Sequence, residues 1–209
     1  MKSNLNKEKI LNALPSRIFV TGIGTGIGKT IVSGYLCGNF GYDYWKPIQS
    51  GDLENSDSIF ITNNVTEVKI WPERYKLTKP MSPHAAAEID EVEINLIDFE
   101  LPKSNNLLVE GAGGLMVPLN DQDLMIDLIQ YLRLPVVLVI RDYLGCINHT
   151  ILSYEILKQR KIEICCVVFN GNFTPSTLSY FENIFSEVLQ LQAVLFHVNQ
   201  SQKQFLDQY

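Results

Sequence analysis

Four glycines fall within the ten residues Thr21-Gly22-Ile23-Gly24-Thr25-Gly26-Ile27-Gly28-Lys29-Thr30, between a strand-like run and a helix-like one. This segment constrains the chain most. A glycine-rich turn from strand to helix lets backbone N–H groups converge on phosphate oxygens, because glycine permits the dihedrals and the close approach. The helix N-terminus adds its partial positive charge. In such a loop Lys29 reaches the β- and γ-phosphates and the Thr30 hydroxyl binds Mg²⁺. The strict pattern would place its first glycine at Ile23; here that glycine is Gly22, so the loop is one residue longer.

The remaining pattern fits a fold built around such a loop. Strand-like and helix-like segments alternate, which predicts an α/β chain with a mostly parallel sheet and helices on both faces. Strands are expected at 17–21, 42–46, 106–110, 135–141, 162–170 and 193–198. Helices are expected at 3–13, 29–40, 57–63, 123–132, 146–160 and 176–189. From 51 to 105 only the helix near 57–63 stands out, with loops around Pro72, Pro80 and Pro83. No repeat, linker or low-complexity segment divides the chain, so residues 1–209 read as one domain with a P-loop NTPase-like fold.

Composition excludes several classes. A formal charge of -6 argues against a nucleic-acid partner, which calls for a basic face. The apolar run Leu134–Ile140 is too short to span a bilayer and suits a strand buried on both faces. Residues 1–14 lack an apolar signal core, and Cys37, Cys146, Cys165 and Cys166 show no metal or redox spacing. Buried thiols in a cytoplasmic protein are the expectation.

Charged residues at strand ends are the natural companions of a phosphate loop. Glu110 closes a strand directly before Gly111-Ala112-Gly113-Gly114, where an acid needs a cation or donor to offset its desolvation. Lys46 ends another strand, and Pro47 keeps the chain from continuing into helix. Asp57, in Asn55-Ser56-Asp57, reads equally as a metal ligand or as part of an ordinary helix cap. Ser50 reads as a turn residue or as a hydroxyl offered to the same crevice.

Taken together, these segments resemble the dethiobiotin synthetase family. The matching pieces are Phe19–Gly22 running into Gly28-Lys29-Thr30, Trp45-Lys46-Pro47-Ile48-Gln49-Ser50-Gly51, Asn55-Ser56-Asp57, Ser82-Pro83-His84, Val109–Gly114 and Leu144-Gly145-Cys146-Ile147-Asn148-His149. They extend over residues 18 to 172. The resemblance implies a ligase of biotin biosynthesis that uses Mg²⁺ and ATP. It carboxylates 7,8-diaminononanoate with CO2 or bicarbonate, phosphorylates the carbamate, and closes the ureido ring to dethiobiotin, ADP and phosphate.

The resemblance also implies roles. Lys46 takes the catalytic position between carbamate and γ-phosphate. Thr30, Asp57 and Glu110 surround Mg²⁺. Nucleotide contacts fall to Thr25, Gly26, Ile27, Gly28, Lys29, Thr30, Ile31, Asp57, Glu110, Gly111, Ala112, Gly113, Asn170 and Gly171, with Asn170 at the base. Ser50 faces the diamine, while Leu144, Gly145, Cys146 and Asn148 meet the substrate's carboxylate tail across a homodimer interface. His149 is expected to be a packed or supporting residue, and His84 receives no role.

Two departures stand out. Gly26 occupies a loop position where the family often carries an acid near the substrate amine. Residues 193–199 lack the Gly and Pro expected where the family closes on adenine, which leaves base preference open. The competing class is a partitioning-type ATPase switch. Such a switch carries a lysine five residues before the loop lysine, where this chain has Gly24.

Overall fold

The computed structural model describes residue 10 and residues 13–192. Most of the expected helix at 3–13, and the expected strand at 193–198, lie outside the described residues.

Among the described residues seven strands form one sheet in the order β4-β2-β6-β1-β7-β8-β9, and every neighbouring pair is parallel. They are β1 (Arg17–Gly22), β2 (Asp43–Trp45), β4 (Ile70–Trp71), β6 (Leu107–Glu110), β7 (Val136–Arg141), β8 (Ile164–Asn170) and β9 (Leu189–Gln192). The helices around the sheet are α1 (Lys29–Phe40), α2 (Asp57–Asn64), α3 (Pro83–Ile89), α4 (Met125–Leu132), α5 (Cys146–Gln159) and α6 (Pro175–Ile184). The central strands are apolar on both faces: Ile18, Phe19, Val20, Leu107, Leu108, Val109 and Val136–Ile140 are all fully buried. A strand sandwiched between helical layers needs that continuous apolar run rather than an alternating one.

The order of the strands makes the crevice. From β1 the chain crosses over to β2, leaving the slot between them for β6. It later returns to place β7 on the other side of β1. In such a sheet, ligands gather outside the carboxyl ends where the order reverses. Register brings those ends level: Val20 pairs with Glu110, and Trp45 with Val109.

Three features depart from expectation. The stretch 51–105 holds more structure than a loop. In it β3 (Ile48–Ser50) and β5 (Tyr75–Leu77) form a second, two-stranded parallel sheet. Pro83 opens α3 instead of breaking it, since a first-turn proline gives up an N–H that has no partner there anyway. The expected helix 176–189 ends at Ile184, because Leu189-Gln190-Leu191-Gln192 alternates with a period of two and pairs with β8, Cys166 opposite Leu189.

Candidate active site

Three elements deliver oxygen to one point. Thr30 opens the first turn of α1, Asp57 is the first residue of α2, and Glu110 ends β6. Thr30 Oγ1 lies 2.9 Å from Asp57 Oδ1 and 2.9 Å from Glu110 Oε1. One hydroxyl proton can serve only one of those carboxylates at a time, so the second close approach calls for a cation. Lys46, just beyond β2, supplies one. Its Nζ donates to Asp57 and to Glu110 Oε1, the latter at 3.2 Å. Tyr44 completes the cluster by donating its buried hydroxyl to Glu110 Oε2 at 3.1 Å.

The helix start at Asp57 resolves how that residue is used. Ser56 is the cap, its hydroxyl accepting from Ile59 N at 3.3 Å, which leaves the Asp57 carboxylate free for the cluster. Gln49 steadies the same turn: its Oε1 accepts from Asp57 N at 3.4 Å and its Nε2 donates to Gly51 O at 3.0 Å.

The two lysines are tuned in opposite directions. Burial brings the Lys29 ammonium down to about 8, Lys46 pushes the same way, and Glu110 and Asp57 offset only part of this. Burial also works against charge on Lys46, but Glu110 and Asp57 outweigh it and hold its pKa above the ordinary lysine range. For Asp57 burial is again the opposing influence; the Lys46 charge and the hydrogen bonds from Lys46 and Thr30 take it below the usual carboxylate value. Burial keeps the Tyr44 phenol protonated, so it can act only as a donor to Glu110.

The phosphate loop sits against this cluster. Lys29 is 7% exposed and its Nζ donates to Gly24 O at 3.0 Å. Gly28 precedes α1 with φ 91° and offers no side-chain cap, so the first N–H groups of the helix stay open for an anion. Thr25 and Gly26 are exposed, Ile27 is buried and Ile31 half-buried. The loop after β6 packs on this one. A Cβ on Gly113 would come 3.5 Å from Thr25 Oγ1, and one on Gly111 would collide with the Phe19 ring at 2.7 Å, while Ala112 is half-buried. Asn170 Nδ2 donates to Ile27 O at 2.8 Å, which commits one of its amide protons to the loop. Gly171 follows with φ 128°.

Ser50 Oγ is buried without a hydrogen-bond partner, as are the hydroxyls of Thr21, Ser33, Ser58 and Thr150. The segment expected at the substrate tail is disposed differently. Leu144, Gly145 and Asn148 are exposed and Cys146 is buried at the start of α5, whose cap Gly145 (φ 103°) provides no side chain. His149 is exposed, not packed; its Nδ1 lies 2.6 Å from Tyr143 Oη. His84 is exposed.

Sequence reasoning missed Tyr44, Gln49 and Arg141. Tyr44 and Gln49 look like ordinary strand residues, and nothing local marks their polar ends. Arg141 carried a signal. It closes β7 as Glu110 closes β6, and its Nη1 donates to Gly26 O at 2.5 Å.

A parallel α/β sheet with a phosphate loop, two carboxylates, a hydroxyl and two buried lysines at its strand ends defines a P-loop nucleotide-binding protein. In agreement, residues 16–199 match the family profile described as an AAA domain. Among curated proteins, the ATP-dependent dethiobiotin synthetase BioD of Lawsonia intracellularis is 47% identical over 155 residues, covering 74% of this chain and 76% of that one. The enzyme of the same name from Christiangramia forsetii is 47% identical over 167 residues, 78% and 80% of the two chains. That from Paramagnetospirillum magneticum is 40% identical over 183 residues, 85% and 89%. The chain belongs to the ATP-dependent dethiobiotin synthetase family. Among solved structures, chloroplast FtsY from Physcomitrella patens is 14% identical with a TM-score of 0.38, covering 78% of this chain and 57% of that one; a likeness so slight carries no argument.

Proposed function

We propose that the protein closes the ureido ring of dethiobiotin from 7,8-diaminononanoate, CO2 and ATP, releasing ADP and phosphate. The observation that carries this reading, beside family membership, is Lys46. It is 5% exposed and bonded to two carboxylates at the mouth of the phosphate loop. A carbamate formed on one amine is an anion, and so is the triphosphate it must approach. The obstacle is like-charge repulsion, and the remedy is fixed positive charge where the two meet.

Lys46, from the end of β2, and Lys29, from the phosphate loop, supply that charge. The carbamate oxygen attacks the γ-phosphorus and ADP leaves, giving a carbamic–phosphoric anhydride. The second amine then attacks the carbonyl carbon, and phosphate departs with the bridging oxygen. In the protein alone Glu110 and Asp57 hold the charge on Lys46, so the role proposed for it is a positive point rather than a base.

Thr30, Asp57 and Glu110 fit Mg²⁺: a hydroxyl and two carboxylates, all hard oxygens, converge within 2.9 Å of the Thr30 oxygen. When bound, the ion would neutralise phosphate charge and polarise the phosphorus centre. Ser50 would receive the diamine. The exposed start of α5 would receive the carboxylate tail with the help of a second copy, consistent with open N–H groups at a helix start. Asn170 and Gly171 would face the base. No helix among the described residues is long and apolar enough to cross a membrane, and a soluble cytoplasmic homodimer is the proposed form.

The test is ADP formation with each substrate omitted in turn. The proposal expects release only when the diamine and bicarbonate are both present. Steady release without either would favour an ATPase switch.

A further inference from the structure

Arg141 and Asn170 are register partners at the ends of the neighbouring parallel strands β7 and β8. Both side chains reach the phosphate loop and take consecutive carbonyls: Arg141 Nη1 donates to Gly26 O at 2.5 Å, and Asn170 Nδ2 to Ile27 O at 2.8 Å. In a planar trans peptide the C=O of one residue and the N–H of the next point in opposite directions. Fixing the Gly26 carbonyl therefore fixes the Ile27 N–H, and fixing the Ile27 carbonyl fixes the Gly28 N–H. Those N–H groups are donors a phosphate would take.

The loop needs such restraint. Gly26 and Gly28 have φ of 68° and 91°, and glycine is the residue with most conformational freedom to lose. Glycine peptides left unrestrained are free to turn either their N–H or their C=O toward the phosphates. Gly28 also makes room for the contact, since a Cβ there would stand 2.3 Å from Asn170 Nδ2. A guanidinium suits the Gly26 carbonyl because hydrogen bonds from a charged donor are roughly twice as strong as neutral ones.

We propose that Arg141 and Asn170 form a two-point clamp on the outer face of the phosphate loop, which aims its N–H groups at the polyphosphate. Arg141 is a positioning residue in this account. The inference rests on the reading of this loop as the nucleotide site, and it adds a part for Asn170 that does not depend on any contact with a base.

The experiment measures affinity for inorganic tripolyphosphate, which has no base, beside steady-state kinetics with ATP. Wild type is compared with Arg141→Met, Arg141→Lys, Asn170→Ala and the double variant Arg141→Met/Asn170→Ala. Arg141→Met should weaken tripolyphosphate binding and raise the KM for ATP about 10-fold or more. At saturating ATP its kcat should stay within about threefold and the diamine KM within about twofold. Arg141→Lys should recover most of the loss, since one ammonium donor can serve the Gly26 carbonyl. Asn170→Ala should also lose tripolyphosphate affinity, and the double variant should lose less than the product of the two singles, because both act through one loop.

Wild-type affinity in Arg141→Met and in Asn170→Ala would overturn the clamp while leaving the nucleotide site standing. So would a fall in kcat with KM unchanged. If Arg141→Met does not fold, Arg141→Lys and Asn170→Ala decide the matter on the same readings. Failure of the wild type to bind either tripolyphosphate or ATP would remove the nucleotide reading and the clamp with it.

Discussion

The crevice at the strand ends and the shoulder at the start of α5 are built on opposite principles. In the crevice Lys29, Lys46 and Glu110 are all under 10% exposed; Lys46 and Glu110 pair across elements, and Lys29 donates to a carbonyl of its own loop. On the shoulder Leu144 is fully exposed, Tyr143, Ile147 and Leu152 are exposed too, and the Tyr143–His149 hydrogen bond lies at the surface. One region is finished within a single chain. The other leaves apolar side chains exposed on α5 and in the turn before it. On the proposed reading this divides the labour: one chain completes the phosphate chemistry, and a second copy completes the seat for the substrate's tail.

The sharpest break in that contrast is Lys46→Gln. Its charge matters most as two anions approach, so turnover should fall about 10²-fold or more while nucleotide affinity changes only a few-fold. Lys46→Arg should recover part of the loss, since a planar fork is a poor copy of a compact ammonium. Diamine-dependent ADP release and nucleotide binding, measured on the same preparations, separate the two effects.

Next in size is Glu110→Gln, which keeps shape and removes charge from the carboxylate that Thr30, Lys46 and Tyr44 share. The Mg²⁺ needed for half-maximal activity should rise about 10-fold, because hard cations favour ionised oxygen. An unchanged Mg²⁺ titration would exclude Glu110 as a ligand.

How much of this could be read in advance follows the same division. The phosphate loop, the parallel sheet, and the strand-end positions of Lys46 and Glu110 were legible, because each has a local cause: glycine spacing, apolar runs, a charge that terminates a strand. The Asp57 ambiguity was real in the sequence. Only the fold shows Ser56 capping α2 and Asp57 released to Thr30 and Lys46. Tyr44 was hidden because its hydroxyl finds Glu110 across neighbouring strands, 66 residues away. The strand β5 and helix α3 were missed because a three-residue strand and a proline-led helix carry almost no periodic signal.

A smaller effect is expected on the shoulder. Leu144→Glu should weaken self-association in sedimentation, and raise the KM for the diamine about 10-fold at low protein concentration. ATP affinity should not change, because Leu144 takes no part in the crevice. Equal association in variant and wild type would assign the exposed face to another purpose.

The smallest effect comes from Lys29. In metal-free protein its charge is lost as pH rises through about 8, while Lys46 stays charged. Phosphate favours the ammonium, so Lys29 should take up protons on nucleotide binding at pH above 8 and contribute none at about pH 6.5. Calorimetry in buffers of different ionisation enthalpy reads this directly. For stability the sign is opposite to that of a lysine gaining a partner. Between about 8 and the ordinary value of 10.5 the unfolded chain binds more protons than the fold. The cost of burying the charge is therefore present below 8 and relieved as pH rises across that interval.

The most direct test of the central claim follows an oxygen atom. CO2 labelled with ¹⁸O, mixed rapidly with protein, diamine, Mg²⁺ and ATP, places label on the carbamate. If carbamate oxygen attacks the γ-phosphorus and leaves with phosphate at ring closure, one labelled oxygen should appear in the released phosphate for each ring formed. Phosphate free of label, formed at the same rate with ring closure intact, would mean that ATP is spent on water and that the lysine-lined crevice does not join the two anions.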